Sequence, residues 1–329
     1  MAEYRVRELS EQDFLAETVQ TERKKRFANF NEIDLDDFET QAKMYATGGK
    51  NCHVAAFQNA LAEPTSTNNS YECLQASQER LATAKCACEK NNITYKRVRL
   101  TYFVISKKYK FMFELIPKVS STTWKRYLFE IDPECQQGPR SLELLNITEA
   151  DLEHYTKVVF VREPLERLVS FYFNNLYYTT SVSQNNKQFD DAIKKIGLRN
   201  HSVIQVGRKG LIYNITFLEF AQLIIYHDSK KKHYLPLSGH LEKQNDISRM
   251  CSVNYDFIGH LEHLGEDATC FLQLTGLDKL YSFPRIHKQK GKTRYTETLS
   301  NLPPDILKKL IEVYRLDYEL LGYQIPNFH

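Results

Sequence analysis

The order of apolar and polar positions divides the chain near residue 97. Before it periodicity is weak: Pro64–Ser70 reads as a loop and Glu72–Glu89 as a polar helix. After it the character changes. Val98–Ser106 (VRLTYFVIS) and Tyr109–Ile116 (YKFMFELI) carry the β-branched and aromatic residues of strands. A helix is predicted to open at Trp124–Glu130. Tyr155–Val161 (YTKVVFV) is nearly all apolar, the pattern of a strand covered on both faces of a parallel sheet. Pro164–Leu176 follows as a helix with proline in its first turn, where a missing N–H costs nothing. Pro304–Leu321 repeats apolar residues on one helical face through Leu307, Leu310, Ile311, Tyr314, Tyr318 and Leu321, and Gly322 stands where a glycine would end that helix. Strands alternating with helices predict an α/β domain around a central parallel sheet flanked by helices. There is no internal repeat.

Composition adds little to this. A chain of 329 residues, 42% hydrophobic and 26% charged, can bury an ordinary core. The formal charge of +3 gives no global reason to expect nucleic acid as a partner. Basic clusters stand at Lys230–His233 and across Arg285, His287, Lys288, Lys290, Lys292 and Arg294, and each reads equally as a solvated face or an anion contact. The seven cysteines contain no CxxC pair, and the odd number leaves at least one thiol without an intrachain partner if the chain is secreted. Sequons at Asn68, Asn92, Asn146, Asn200 and Asn214 favour a secretory lumen. No stretch reaches the ~18 apolar residues of a membrane span.

Chemistry gathers at two strand-to-helix junctions. In the first, Pro117-Lys118-Val119-Ser120-Ser121-Thr122-Thr123-Trp124-Lys125-Arg126, four hydroxyl residues and a lysine precede a helix whose first N–H groups favour anions. It serves the purpose of a nucleotide P-loop without any of its glycines. In the second, Val161-Arg162-Glu163-Pro164-Leu165-Glu166-Arg167-Leu168-Val169-Ser170, Arg162 stands at the carboxyl end of a strand, where open α/β sheets hold ligands. Its guanidinium suits two-point phosphate binding. Alternatively Arg162 and Arg167 pair with Glu163 and Glu166, as Glu163 and Arg167 at i, i+4 can do.

Together these segments resemble the PKV-x-x-T-x-W-K-R and R-[DE]-P-x-E-R-L-x-S segments of Golgi carbohydrate sulfotransferases of the chondroitin and dermatan 4-O-sulfating type. His233-Tyr234-Leu235-Pro236 looks like that family's HW-containing stretch, Cys251–Asp267 like its YDFIG block, and Leu302–Tyr323 like its C-terminal LP-x-D…Y-x-x-D-x-x-L-x-GY helix. The likeness runs from about residue 72 to 325 and implies a sulfotransferase domain over 72–325 with a P-loop-like sulfotransferase fold; residues 1–71 remain as an N-terminal, stem-like region. Departures are Glu114, Ser121 and Ser248 where the family often has cysteine, so some of its disulfides should be missing, and also Glu163 for aspartate and Tyr234 for tryptophan.

The resemblance implies transfer of a sulfuryl group from 3′-phosphoadenosine 5′-phosphosulfate (PAPS) to a sugar hydroxyl of a glycosaminoglycan or related glycan, with no metal. Lys118 would neutralise the leaving oxygen, with Ser120, Ser121, Thr122, Thr123 and Trp124 at the 5′-phosphosulfate. Arg162 and Ser170 would hold the 3′-phosphate, flanked by Glu163 and Arg167. His233 is the first candidate for general base, ahead of His260, Glu262 and His263. The Arg285–Arg294 stretch would cover the 3′-phosphate or meet an anionic glycan. Family members are Golgi proteins held by one N-terminal membrane helix; none is visible here, so membrane association is expected only through an anchor outside this sequence. Three rival readings are a heparan 2-O-type enzyme, a non-catalytic glycan-binding relative and a phosphate-transferring nucleotide enzyme.

Overall fold

The computed structural model describes residues 69–95, 99–139, 145–148, 150–177, 184–207, 210–230, 238–284 and 292–326. The N-terminal region, His233 and most of the Arg285–Arg294 stretch lie outside them.

Along the chain stand α1 (Asn69–Lys90), β1 (Phe103–Ser106), β2 (Phe111–Glu114), α2 (Ser121–Ile131), β3 (Gln136–Gln137), β4 (Thr156–Val161) and α3 (Pro164–Tyr172). Then come α4 (Gln184–Lys195), β5 (Ile204–Gly207), β6 (Gly210–Tyr213), α5 (Phe217–Ser229), α6 (Ser238–Leu241) and α7 (Gln244–Ser248). The last are β7 (Phe257–His260), α8 (Leu264–Thr275), α9 (Lys292–Ser300), α10 (Pro304–Val313) and α11 (Arg315–Leu321). Among the described residues no helix is long and apolar enough to cross a membrane.

The chain forms two compact units. The first takes residues up to Leu115, Thr122–Phe160 and Met250–Ile286. Its sheet runs β3-β1-β2-β4-β7. The sequence predicts a parallel sheet, and β2 and β4 do pair parallel, but β1 is antiparallel to both β2 and β3, so the sheet is mixed. The reason is local: only the four residues 107–110 separate β1 from β2, enough for a hairpin and too few for a crossover. Gly259 in β7 is required by close packing, since a Cβ there would meet the Phe160 ring at 2.4 Å. Helix α1 looks polar in sequence, yet Cys73, Ser77, Ala84 and Ala87 form a narrow stripe of small buried residues at spacings of four, seven and three. Disulfides Cys73–Cys270 and Cys88–Cys251 tie it down, while Cys135 is a free, buried thiol. Glu114, where the resemblance would put a cysteine, is buried and accepts the Tyr255 hydroxyl.

The second unit takes Ile116–Ser121, Val161–Arg249 and the chain from His287. Its core is helical, centred on Phe171, Phe189, Phe220, Leu223 and Leu310. The single helix expected over Pro304–Leu321 is two. Tyr314, at φ −101° and ψ 9°, leaves the helical region between α10 and α11, and Gly322 ends α11 at φ +72°.

Candidate active site

The first junction is held in an uncommon backbone shape. Lys118 and Ser120 both adopt left-handed φ values, +70° and +51°, without being glycine. Between them the Val119 N–H returns to the Ile116 carbonyl at 3.2 Å. Left-handed residues alternating with right-handed ones are the backbone pattern of an anion-binding nest, although here the Val119 N–H is itself taken up by Ile116. The chain then enters α2, whose first N–H groups have no partners inside the helix. Strain of this kind costs of order 1–3 kcal/mol per residue and persists where the surroundings enforce it. The hydroxyls of Ser120, Ser121, Thr122 and Thr123 form no hydrogen bond among the described residues, so the loop presents donors without acceptors.

The second junction supplies charge. Glu163 caps α3 by accepting the Glu166 N–H, and Pro164 follows at the first helical position. Arg162, between strand and cap, is half-buried; its Nη1 reaches the Lys118 carbonyl at 3.3 Å and its Nη2 lies 3.5 Å from Glu166, while Nε is buried with no partner. Arg167, 3% exposed, instead spends its guanidinium on the Pro117 carbonyl at 2.9 Å, the Glu242 carbonyl at 2.8 Å and the His240 carbonyl at 3.2 Å. One buried cation therefore ties the loop carrying Lys118 to the segment carrying His240.

Three positive side chains thus crowd together, and Lys118 has no carboxylate partner among the described residues. Burial, then the Arg162 and Arg167 charges, bring the Lys118 pKa down to about 8. The same influences hold His240 below the usual imidazole value: partial burial first, then the charges of Lys118 and Arg167. Such a cluster is expensive alone and suits a polyanion. Ser170, two turns into α3, is half-buried with no hydrogen bond from its hydroxyl.

The residues singled out in the sequence do not all face this cluster. Lys118, Arg162 and Arg167 are brought together. Glu163 is occupied as a cap and takes the Tyr318 hydroxyl; burial raises its pKa against the pull of these bonds. Trp124 is completely buried in the first unit between Phe113, Phe160 and Phe283, so its indole has no surface for a ligand. His260 is buried in the first unit with its N–H on Asp267, and Glu262 and His263 are exposed there. Arg294, on α9, lies 5.1 Å over the Phe173 ring.

Sequence reasoning missed His240, Gln244, Asp317 and Tyr318. The Gln244 side chain both donates to the Arg162 carbonyl, at 2.7 Å, and accepts its N–H, at 3.0 Å. Asp317 is fully buried and accepts the N–H groups of Gln244 and Asn245. An acidic residue on the apolar face of a C-terminal helix was a readable signal; a glutamine 82 residues from Arg162 was not.

A model of the sulfotransferase family matches residues 101–324. Carbohydrate sulfotransferase 11 of Mus musculus is 28% identical over 248 residues, covering 70% of this chain and 69% of that protein. Carbohydrate sulfotransferase 14 of Danio rerio is 25% identical over 283 residues, covering 75% and 71%. Carbohydrate sulfotransferase 9 of Homo sapiens is 28% identical over 244 residues, covering 68% and 53%. No solved structure gives a significant match.

Proposed function

This chain belongs to the sulfotransferase family, and on that premise we propose that it carries a sulfuryl group from PAPS to a hydroxyl of a glycan of the chondroitin or dermatan type. The observation that carries the proposal is the cluster of Lys118, Arg162 and Arg167, uncompensated at Lys118, beside a loop of unsatisfied donors. PAPS is a polyanion with phosphate at both ends of its ribose, and two cationic junctions fit it. The carbohydrate acceptor is supported by the names of the relatives. The chondroitin or dermatan class rests on the likeness of Cys251–Asp267 and Leu302–Tyr323 to that group. Residues 72–325 are the proposed catalytic domain, with a P-loop-like arrangement of the donor loop. Disulfides and sequons support a secretory, Golgi setting.

In the proposed reaction the acceptor oxygen attacks sulfur as the bond from sulfur to the 5′-phosphate oxygen breaks, with the three atoms in line. The nest and Lys118 hold the 5′-phosphate and meet the charge growing on its departing oxygen. Arg162 and Ser170 hold the 3′-phosphate. The acceptor proton goes to His240, whose pKa is held below the usual imidazole value by partial burial first and then by the neighbouring cations. The products are a sulfate ester and 3′-phosphoadenosine 5′-phosphate.

The test is transfer of radiolabelled sulfate from PAPS to desulfated chondroitin, dermatan and heparosan. Label on chondroitin or dermatan, lost in Lys118→Ala and Arg162→Ala, is expected; label on heparosan alone would overturn the acceptor class. No transfer and no PAPS binding would overturn the reading altogether. His240→Ala should lower kcat about a hundredfold or more with the KM for PAPS unchanged.

A further inference from the structure

The two basic side chains at the second junction are held in opposite ways. Arg167 has its head group consumed by three carbonyls. Arg162 has a loosely held head group, with contacts of 3.3 and 3.5 Å and an unpartnered Nε, but a tightly held root. The Gln244 amide closes on both the N–H and the carbonyl of Arg162, at 3.0 and 2.7 Å, and is itself fully buried. A fixed root with a free tip is how a ligand-binding arm is preorganised.

The root traces back to the C-terminal helix. Asp317 receives the Gln244 N–H at 2.8 Å and the Asn245 N–H at 2.9 Å, which fixes the start of α7 and the direction of the Gln244 side chain. The next residue, Tyr318, donates its hydroxyl to Glu163, which also bonds Tyr295 and caps α3. Adjacent residues of α11 therefore act on the main chain of Arg162, by way of Gln244, and on the side chain of Glu163.

We propose that Gln244, Asp317 and Tyr318 are positioning residues for the donor, acting through the main chain of Arg162 and the capping side chain of Glu163 to aim the Arg162 guanidinium at the 3′-phosphate. None of the three touches the donor. Gln244 fixes the root of the arm, Asp317 fixes Gln244, and Tyr318 fixes the following cap. The inference rests on the PAPS reading above.

The experiment is calorimetric binding of 3′-phosphoadenosine 5′-phosphate to the full chain, with kcat and both KM values measured beside it. Gln244→Met, close in shape but unable to hydrogen-bond, should weaken the nucleotide about tenfold, the worth of two modest hydrogen bonds. The acceptor KM and the kcat at saturating PAPS should not move. Asp317→Asn should weaken binding in the same direction, and the double variant Gln244→Met/Asp317→Asn should be no weaker than the worse single variant, because both act along one path. Tyr318→Phe removes a single hydroxyl and should cost about threefold, so it carries the test if Gln244→Met fails to fold. Unchanged nucleotide affinity in folded variants, additive losses, or an acceptor KM and kcat that shift together would overturn the inference. A wild-type chain that binds no nucleotide would overturn the PAPS reading itself, and this inference with it.

Discussion

Two clusters of buried charge, one in each unit, are arranged in opposite ways. In the first, ionisable groups find their partners inside the unit: Arg80 meets Asp267 at 2.7 Å with 12% and 2% of the side chains exposed, and Asp267 also takes the His260 N–H. Glu114 sits against Tyr255, and burial pushes its pKa up to about 8, so at neutral pH it is mostly uncharged. In the second, Lys118, Arg162 and Arg167 are gathered with nothing negative against Lys118. The first pattern holds a fold together; the second works against folding and is retained where an anion is to be bound. Perturbed titration alone would not separate them, since both regions show it. What separates them is whether the chain supplies the counter-charge.

The sharpest way to break this contrast is to remove one cation from each unit. Arg80→Met should destabilise the protein by about 3–5 kcal/mol in denaturant titrations, because Asp267 is left buried and unpaired. Lys118→Met should leave the denaturation midpoint unchanged or raise it, yet lower kcat by about 100- to 1000-fold, the usual loss of one stabilising group at a developing charge. A Lys118→Met protein that unfolds early would show that the cluster is structural.

Next in size is Glu114→Gln. A carboxyl whose folded pKa is raised holds its proton in the folded state while the unfolded chain releases it, so stability is full below the unfolded pKa near 4.5 and falls as pH rises toward about 8. Wild type should lose about 3–4 kcal/mol between pH 5 and 8 from this group, and Glu114→Gln should show a flatter profile. Trp124→Phe sharpens the line between core and site: it should cost about 1–3 kcal/mol of stability and leave the KM for PAPS unmoved. The smallest effect concerns the loop lysine itself. With a free-protein pKa of about 8, Lys118 is charged below that value and neutral above it, so affinity for 3′-phosphoadenosine 5′-phosphate should fall several-fold between pH 7.5 and 9. Calorimetry across that range reads it directly, and Lys118→Arg should abolish the fall, since guanidinium does not titrate there.

The sequence announced what is local. Strand β4, the proline opening α3 and the Lys118 loop each lie within ten residues or so, and their patterns are complete in those windows. The left-handed backbone at Lys118 and Ser120 was hidden because neither is glycine, the residue that normally advertises it. The division of Pro304–Leu321 into two helices was hidden too, because apolar spacing continues through Tyr314 while the backbone does not. Arg162 and Arg167 look alike in sequence, five residues apart in one motif. Only long-range partners reveal that one is an arm and the other a strut: Pro117, His240 and Glu242 for Arg167, and Gln244 for Arg162.

The two disulfides given above, both among the described residues, have a topological consequence. Cys88–Cys251 joins positions 163 residues apart, and Cys73–Cys270 joins positions 197 apart. The donor loop, Arg162 and every residue to Arg249 therefore lie inside the covalent ring closed by Cys88–Cys251. A protease that cuts once between residues 89 and 250 opens the ring without releasing a fragment. Such a nicked protein should migrate as one species until a reductant is added, and the severed strands would stay tethered to one another while the cut ends drift apart.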